Sequence, residues 1–164
     1  NPGLVPLDPR WHQAAARFLV EGIEHILGGV DHLLFLLALV LPLRSLRALV
    51  VLATAFTLAH SLTLGLAVLG FTPQVLWFAP LVEWLIAFSI LCMALANLFP
   101  GASTARWRSA FGFGLVHGFG FAVALADSLQ FAGSHLATAL FAFNFGVELG
   151  QLAMLAVAVP LLVA

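Results

Sequence analysis

The sequence predicts an all-helical polytopic membrane protein: a bundle of transmembrane helices around a polar, histidine-containing interior. Of its 164 residues, 63% are hydrophobic and only 8% are charged, whereas an ordinary globular domain is about 45–50% apolar and about 25% charged. The mean hydropathy is +1.12. With 15 Phe and 4 Trp, the chain is also too rich in aromatic residues to be disordered. Most of its surface is therefore expected to face lipid.

Five apolar stretches, separated by Arg, Pro and Gly, are each close to the roughly 20 residues that cross a hydrocarbon core about 30 Å thick. Because backbone groups in lipid have to satisfy their own hydrogen bonds, such stretches form helices. We treat 1–164 as a single transmembrane domain with a lead-in at 1–17, and a sixth helix beyond Ala164 is compatible with the pattern. The predicted helices cover about 18–41, 46–69, 81–99, 109–129 and 135–160.

Arginine placement predicts the orientation, because short cytoplasmic loops carry an excess of positive charge. Arg44 and Arg47 separate the first two predicted helices, and Arg106 and Arg108 separate the third and fourth. The two loops on the opposite side contain no Arg. We therefore expect the N-terminus and the lead-in to be extracytoplasmic. The chain starts at Asn1 rather than Met, which we interpret as a processed protein or an excised membrane domain.

Composition also excludes several classes of partner and site. The six basic residues are all Arg and form no basic tract, which argues against a nucleic-acid partner. The single Cys92 can form neither an internal disulfide nor a thiolate metal cluster. No phosphate-binding loop for ATP is present. Any transport is therefore expected to draw on an ion gradient or on a partner protein.

Polar side chains recur inside the predicted helices, where a charged group costs a few kcal/mol even on a lenient scale. In the first helix, residues 21, 25, 28 and 32 have the spacing of one helical face. The rise of about 1.5 Å per residue brings similar stripes on the other helices to mid-depth. Two glycines that flank position 117 predict a close helix contact there. The candidate metal ligands are His25, Asp31, His32, His60, His117 and Glu148, with Glu21, Asn144, Gly28 and Gly29 as supporting residues.

The densest group of candidate ligands is His25, Asp31 and His32 in the first predicted helix. Imidazole suits Zn, Cu, Fe and Ni, and a carboxylate adds a harder donor. An ideal helix would rotate Asp31 by about 100° from His32. We expect the Gly28-Gly29 pair to loosen the helix and let Asp31 turn toward the histidines. Alternatively, Asp31 is not itself a ligand but orients the ring of a ligating histidine by a hydrogen bond.

These motifs resemble those of the HupE/UreJ family of membrane proteins. The most specific is the segment His25-x3-Gly29-x-Asp31-His32-Leu33-Leu34. The stretches 56–64, 113–122 and 143–152 resemble the branch of the family with an extracytoplasmic N-terminal extension, so the resemblance covers nearly the whole chain. It implies a nickel permease of a bacterial-type inner (plasma) membrane. Because the family is associated with hydrogenase and urease gene clusters, it also implies metalloenzyme maturation proteins as partners.

The sequence departs from the related nickel/cobalt permeases at one point. Those proteins carry a second motif, with two histidines and a glutamate close together on a later helix. Here the corresponding region offers only His117-Gly118. The missing donors would have to come from His60 and Glu148.

Our leading hypothesis is transport of a divalent transition-metal cation, with nickel foremost, through a His/Asp/Glu site near the bilayer midplane. The alternative is an intramembrane hydrolase in which histidine-bound Zn2+ activates water, with Asp31, Glu148 or Ser61 as catalytic groups. A third hypothesis is that the polar groups only join helices, through hydrogen bonds worth under about 1–2 kcal/mol each. The expected partners are the lipid bilayer and the metal ion, and a homo-oligomer is left open.

Overall fold

The computed structural model describes residues 8–42, 45–73, 75–98 and 106–163. These residues form six α-helices and one 3-10 turn, Gln130–Ala132, and they contain no strand. The predicted all-helical class is confirmed. The helices are α1 (Trp11–Gly28), α2 (Val30–Val40), α3 (Leu46–Val68), α4 (Phe78–Ala96), α5 (Arg106–Leu129) and α6 (Leu136–Val163).

The first predicted helix is two helices in the structure. Where the sequence predicts one helix over 18–41, α1 begins at Trp11, within the expected lead-in, and ends before Gly29. The chain continues as α2 at an angle of 68°. A Cβ atom at Gly29 would lie 2.7 Å from the His25 carbonyl oxygen and 2.9 Å from His32 Nδ1, so this bend requires glycine. A Cβ atom at Gly28 would meet nothing within 4 Å. Of the two glycines predicted to loosen the helix, only Gly29 is therefore required by the bend.

The remaining four predicted helices correspond to α3–α6, with each end within three residues of the predicted one. Three of the described helices are by themselves long and apolar enough to cross a membrane, and the bent α1–α2 pair is a fourth if it forms one span. Large apolar side chains such as Leu58 and Phe141 are exposed on the outer faces, where lipid is the apolar solvent. The fold is that of a polytopic integral membrane protein.

Glycines set the two closest helix contacts, between α1 and α6 and between α3 and α5. A Cβ atom at Gly22 would collide with the Phe143 carbonyl oxygen on α6. On α5, a Cβ atom at Gly114 would lie 2.5 Å from the Phe56 carbonyl oxygen. Without an aqueous driving force, membrane helices associate largely through such close backbone packing. These contacts fix the positions of α1, α3 and α5, which carry three of the candidate histidines.

The lead-in to α1 is attached to the turn between α5 and α6. The Asp8 carboxylate accepts hydrogen bonds from the Ser134 hydroxyl (2.6 Å) and from the Ser134 backbone N–H (2.8 Å). These bonds hold the pKa of the Asp8 carboxyl below its ordinary value. Nearby, the Arg17 guanidinium lies 4.0 Å from the centre of the Phe131 ring. The start of α1 and the α5–α6 turn therefore lie at the same end of the bundle, as the arginine pattern predicts.

Candidate metal centre

Four histidines from four different helices meet inside the bundle. His25 lies in the last turn of α1, His32 in the first turn of α2, His60 within α3 and His117 within α5. We call them the imidazole cluster. The centre of the His32 ring is 4.5 Å from that of His25, 5.3 Å from that of His117 and 6.3 Å from that of His60.

Three members of the cluster are close enough together to be candidate ligands of one metal ion. His25, His32 and His60 each offer a ring nitrogen, and these three nitrogens lie within 4.8 Å of one another. A tetrahedral first-row metal ion that binds nitrogens at about 2.0–2.1 Å holds them about 3.4 Å apart. The largest separation would therefore have to shrink by up to about 1.4 Å on binding. That is within the reach of side-chain adjustment around an incoming ion.

The imidazole cluster is buried, and its nitrogens lack partners. His60 and His117 are 0% and 1% exposed, and His32 is 8% exposed. The Nε2 atoms of all four rings are buried without a hydrogen bond. Leaving such a group unpaired costs about 1–3 kcal/mol. These buried nitrogens have no protein partner and are therefore available to bind a cation.

One hydrogen bond assigns the tautomer of His117. Its Nδ1 atom lies 2.8 Å from the backbone carbonyl oxygen of Phe113. A carbonyl oxygen can only accept, so Nδ1 carries the hydrogen and Nε2 keeps its lone pair. A backbone carbonyl in this position is the usual outer partner of a metal-binding histidine.

Phenylalanine rings enclose the imidazole cluster. The Phe121 ring centre is 3.8 Å from that of His25, and the Phe56 ring centre is 5.1 Å from that of His117. Phe35 and Phe143 complete this shell and are fully buried. An apolar shell limits water access and lowers the local dielectric constant, which strengthens the interaction of a cation with its ligands.

Comparison with known families identifies the chain. The family model described as HupE / UreJ protein matches residues 5–164, nearly the whole length. The chain belongs to the HupE/UreJ family. Comparison with curated proteins and with solved structures gave no match.

In this HupE/UreJ protein, Asp31 does not enter the imidazole cluster. The sequence predicts that its carboxylate turns toward the histidines, but the side chain is exposed, and it is absent from the group of close ligand atoms among the described residues. The bend at Gly29 explains this arrangement. Because α2 begins after the bend with a new axis, His32 is directed inward and Asp31 is not. Asp31 lies in the first turn of α2, where a negative charge is favourable with the helix dipole. It remains within electrostatic range of His117.

Glu148 belongs to a second polar group, between α3 and α6. One carboxylate oxygen accepts a hydrogen bond of 2.8 Å from the Thr54 hydroxyl, and the other is buried without a partner. Glu148 lines a cavity of about 420 Å³, which we call the α3–α6 cavity. Its other polar lining residues are Thr54, Thr57, Ser61 and Asn144, and its apolar lining residues are Leu58, Phe141 and Phe145. Thr54 was not singled out from the sequence, although it is three residues before Thr57 and seven before Ser61 and so shares their helical face.

Asn144 connects the α3–α6 cavity with the imidazole cluster. Its Nδ2 atom donates to the Leu140 carbonyl oxygen at 2.8 Å. Its Oδ1 atom is buried without a partner, and its side chain is within interaction range of the His60 ring. Asn144 therefore has one neighbour in each group: Glu148 in the cavity lining and His60 in the imidazole cluster.

Two further candidate residues have ordinary local partners. Glu21, expected to support the site, pairs with Arg17 one turn earlier on α1, at 2.9 Å. The Ser61 hydroxyl, a candidate catalytic group in the hydrolase hypothesis, donates to the Thr57 carbonyl oxygen at 2.6 Å. Neither side chain has a contact with the imidazole cluster that would assign it a role there.

Proposed function

We propose that this HupE/UreJ protein transports a divalent transition-metal cation, with nickel foremost, and that the imidazole cluster binds the ion in transit. The observation that carries the proposal is the group of three ring nitrogens, from His25, His32 and His60, within 4.8 Å of one another inside a membrane-helix bundle. The family's association with nickel and cobalt transport supports the same conclusion.

The donor set suits a transported ion better than a permanently held one. Imidazole nitrogens bind Ni2+ and its neighbours in the first transition row, while conduction requires binding weak enough for release. The cluster has neutral nitrogen donors and, among the described residues, no thiolate or carboxylate within the close group. Such a site can replace part of the ion's hydration shell without neutralising its charge.

A carboxylate beyond the cluster would then share the remaining charge. Two positive charges in a low-dielectric interior are costly, and Glu148 has a buried oxygen with no hydrogen-bond partner. Asn144 shares a cavity lining with Glu148 and is within interaction range of His60. We therefore assign Glu148 and Asn144 to a relay through which the ion passes between the imidazole cluster and the α3–α6 cavity.

Uptake of Ni2+ into vesicles tests both parts of this proposal. Vesicles containing the purified protein and a trapped metal-sensitive dye should take up Ni2+ faster than empty vesicles. Glu148→Gln should slow uptake by about ten-fold or more, because the relay loses its negative charge. Equilibrium binding by the histidines should persist in this variant. The matched control is Glu83→Gln, the same change at an exposed position on α4.

The outcomes separate the hypotheses. Uptake no faster than in empty vesicles would contradict transport, and in that case stoichiometric Zn2+ with turnover of a lipid or peptide substrate would favour the hydrolase. Equal uptake by the Glu148 and Glu83 variants would leave transport standing and contradict the relay.

We also propose that the N-terminus is extracytoplasmic, in an inner membrane of bacterial type. The support is the charge pattern: Arg47, Arg106 and Arg108 are at the end of the bundle opposite Asp8 and Ser134. Arg44, which strengthens the prediction from the sequence, lies outside the described residues.

Cysteine labelling tests this orientation. In a Cys92→Ala background, we expect an impermeant maleimide to label Leu76→Cys in intact cells, because Leu76 is fully exposed between α3 and α4. The same reagent should leave Ser45→Cys, at the other end of α3, unlabelled until the membrane is opened. The reverse pattern would invert the proposed topology.

A further inference from the structure

A second cavity, of about 280 Å³, lies at the arginine-bearing end of the bundle. It is formed by the start of α3 and the start of α5. Position 45 is 15 residues before His60, which corresponds to about 20 Å along α3, so this cavity is separate from the imidazole cluster. Its lining consists of Ser45, Arg47, Ala48, Val51, Leu52, Arg106 and Trp107.

Arg106 is a buried cation in this cavity. It is only 7% exposed, and its Nη1 atom donates to Asn97 Oδ1 at 2.9 Å. Asn97 in turn donates to the Ala38 carbonyl oxygen at 2.8 Å, which fixes the guanidinium in place. The Nε–H of Arg106 is buried without an acceptor, and within the described part of the chain Arg106 has no ion-pair partner. Burying an uncompensated charge is costly, so an anion beside Arg106 would stabilise this arrangement.

Two further features at the same cavity attract an anion. Arg47 lines it and likewise lacks an ion-pair partner among the described residues. The cavity is also at the N-terminus of α3, where Ser45 is the N-cap and makes no side-chain capping bond. Free backbone N–H groups and the helix dipole favour a negative group at such an end. Guanidinium groups match phosphate oxygens in charge and in hydrogen-bond geometry.

The remaining wall of the cavity is apolar. Ala48, Val51 and Leu52 form it on α3, and Trp107 on α5 is 52% exposed. Tryptophan is typical of the membrane–water interface, and both helix ends are where a membrane-spanning α3 would reach that interface. A ligand with a phosphate group and an adjoining apolar tail can contact both the arginines and the apolar wall.

We propose that this cavity binds the phosphate group of an anionic phospholipid. Basic pockets between membrane helices bind anionic lipid headgroups by the same combination of charge and depth. Free phosphate would satisfy the two arginines but would leave the apolar wall without a partner. The proposal is independent of metal transport, because no residue of this cavity belongs to the imidazole cluster or to the relay.

Lipid titration of the purified protein in detergent, followed by native mass spectrometry, tests the assignment. Phosphatidylglycerol should bind the wild-type protein, and Arg47→Gln should weaken that binding about five-fold, the contribution expected of one Arg near an anionic lipid. Arg106→Lys should also weaken it, since Lys keeps the charge but loses the planar donors. The matched control is Arg108→Gln, which removes an exposed Arg outside the cavity and should leave the affinity unchanged.

Three results would overturn the proposal. Equal binding by the Arg47 and Arg108 variants would remove the cavity as the site. Phosphatidylcholine bound as tightly as phosphatidylglycerol would show that negative charge is not recognised. Inorganic phosphate that displaces phosphatidylglycerol at comparable concentration would make the ligand a free phosphate. Because Arg47 is exposed, its replacement decides the matter even if Arg106→Lys does not fold.

Discussion

Replacing His32 by alanine is expected to weaken Ni2+ binding by more than about 100-fold, since even residues that only support a metal ligand contribute 10–100-fold. His32 is the central member of the imidazole cluster: its ring lies next to those of His25, His60 and His117. Its loss removes one of the three ring nitrogens that lie within 4.8 Å of one another, so fewer donors replace water around the ion. Calorimetry of the purified protein in detergent measures the effect directly.

The same titration should depend on pH in a defined direction. Histidine nitrogens bind metal only when they are unprotonated, so protons compete with the ion. As the pH falls, protonated imidazole accumulates and the Ni2+ affinity of the wild-type protein should decrease. The His32→Ala variant should show a smaller dependence, because it has one competing ring fewer. His12→Ala, at an exposed position in the first turn of α1, should reproduce the wild-type curve. A wild-type affinity that does not depend on pH, or a curve that His32→Ala leaves unchanged, would contradict metal binding by the histidines and favour a purely structural role for them.

Adding one methyl group at Gly118 is expected to disturb both the fold and the metal centre. A Cβ atom there would collide with the His60 carbonyl oxygen and with the Thr63 hydroxyl. Overfilling a packed interior costs about 1–3 kcal/mol, and here the obstacle is partly backbone. Because α3 has to move away from α5, His60 moves with it. We expect Gly118→Ala to lower both the midpoint of thermal unfolding and the Ni2+ affinity.

Gly112 on the same helix provides the matched control. A Cβ atom at that position would meet nothing within 4 Å, and alanine is the better helix former by about 1 kcal/mol in solution. Gly112→Ala should therefore unfold at the same temperature as the wild-type protein or slightly higher. Equal stability and equal affinity in the two variants would show that the α3–α5 contact does not position His60.

The sequence was sufficient to predict the helical class and the meeting of the histidines. Both predictions depend on local properties: the length of each apolar stretch, and the cost of a polar side chain in lipid, which makes each His face the interior. The close contact beside His117 could also be predicted, because Gly114 and Gly118 are one turn apart and leave room on that face.

The bend and its consequences could not be predicted in the same way. Two adjacent glycines indicate a weak point in a helix, but the direction of the bend depends on the packing of α2 against α4 and α6. That direction decides that His32 is buried and Asp31 exposed. The position of Glu148 has a similar cause. Its separation from Asn144 places both on one side of α6, but which residues of α3 that side contacts depends on how α6 is rotated and shifted against α1 and α3.

The bend at Gly29 also couples the imidazole cluster to the relative orientation of α1 and α2. His25 lies on α1 and His32 on α2, and the two helices meet at Gly29, a single residue in an extended conformation. The distance between the two ring nitrogens therefore depends on the angle between the helices. An ion that bridges the two rings holds that angle. By thermodynamic reciprocity, whatever favours a different angle lowers the ion's affinity by the same free energy. If the imidazole cluster binds the ion as proposed, rotation about this hinge would move His25 away from His32 and lower the affinity for the ion.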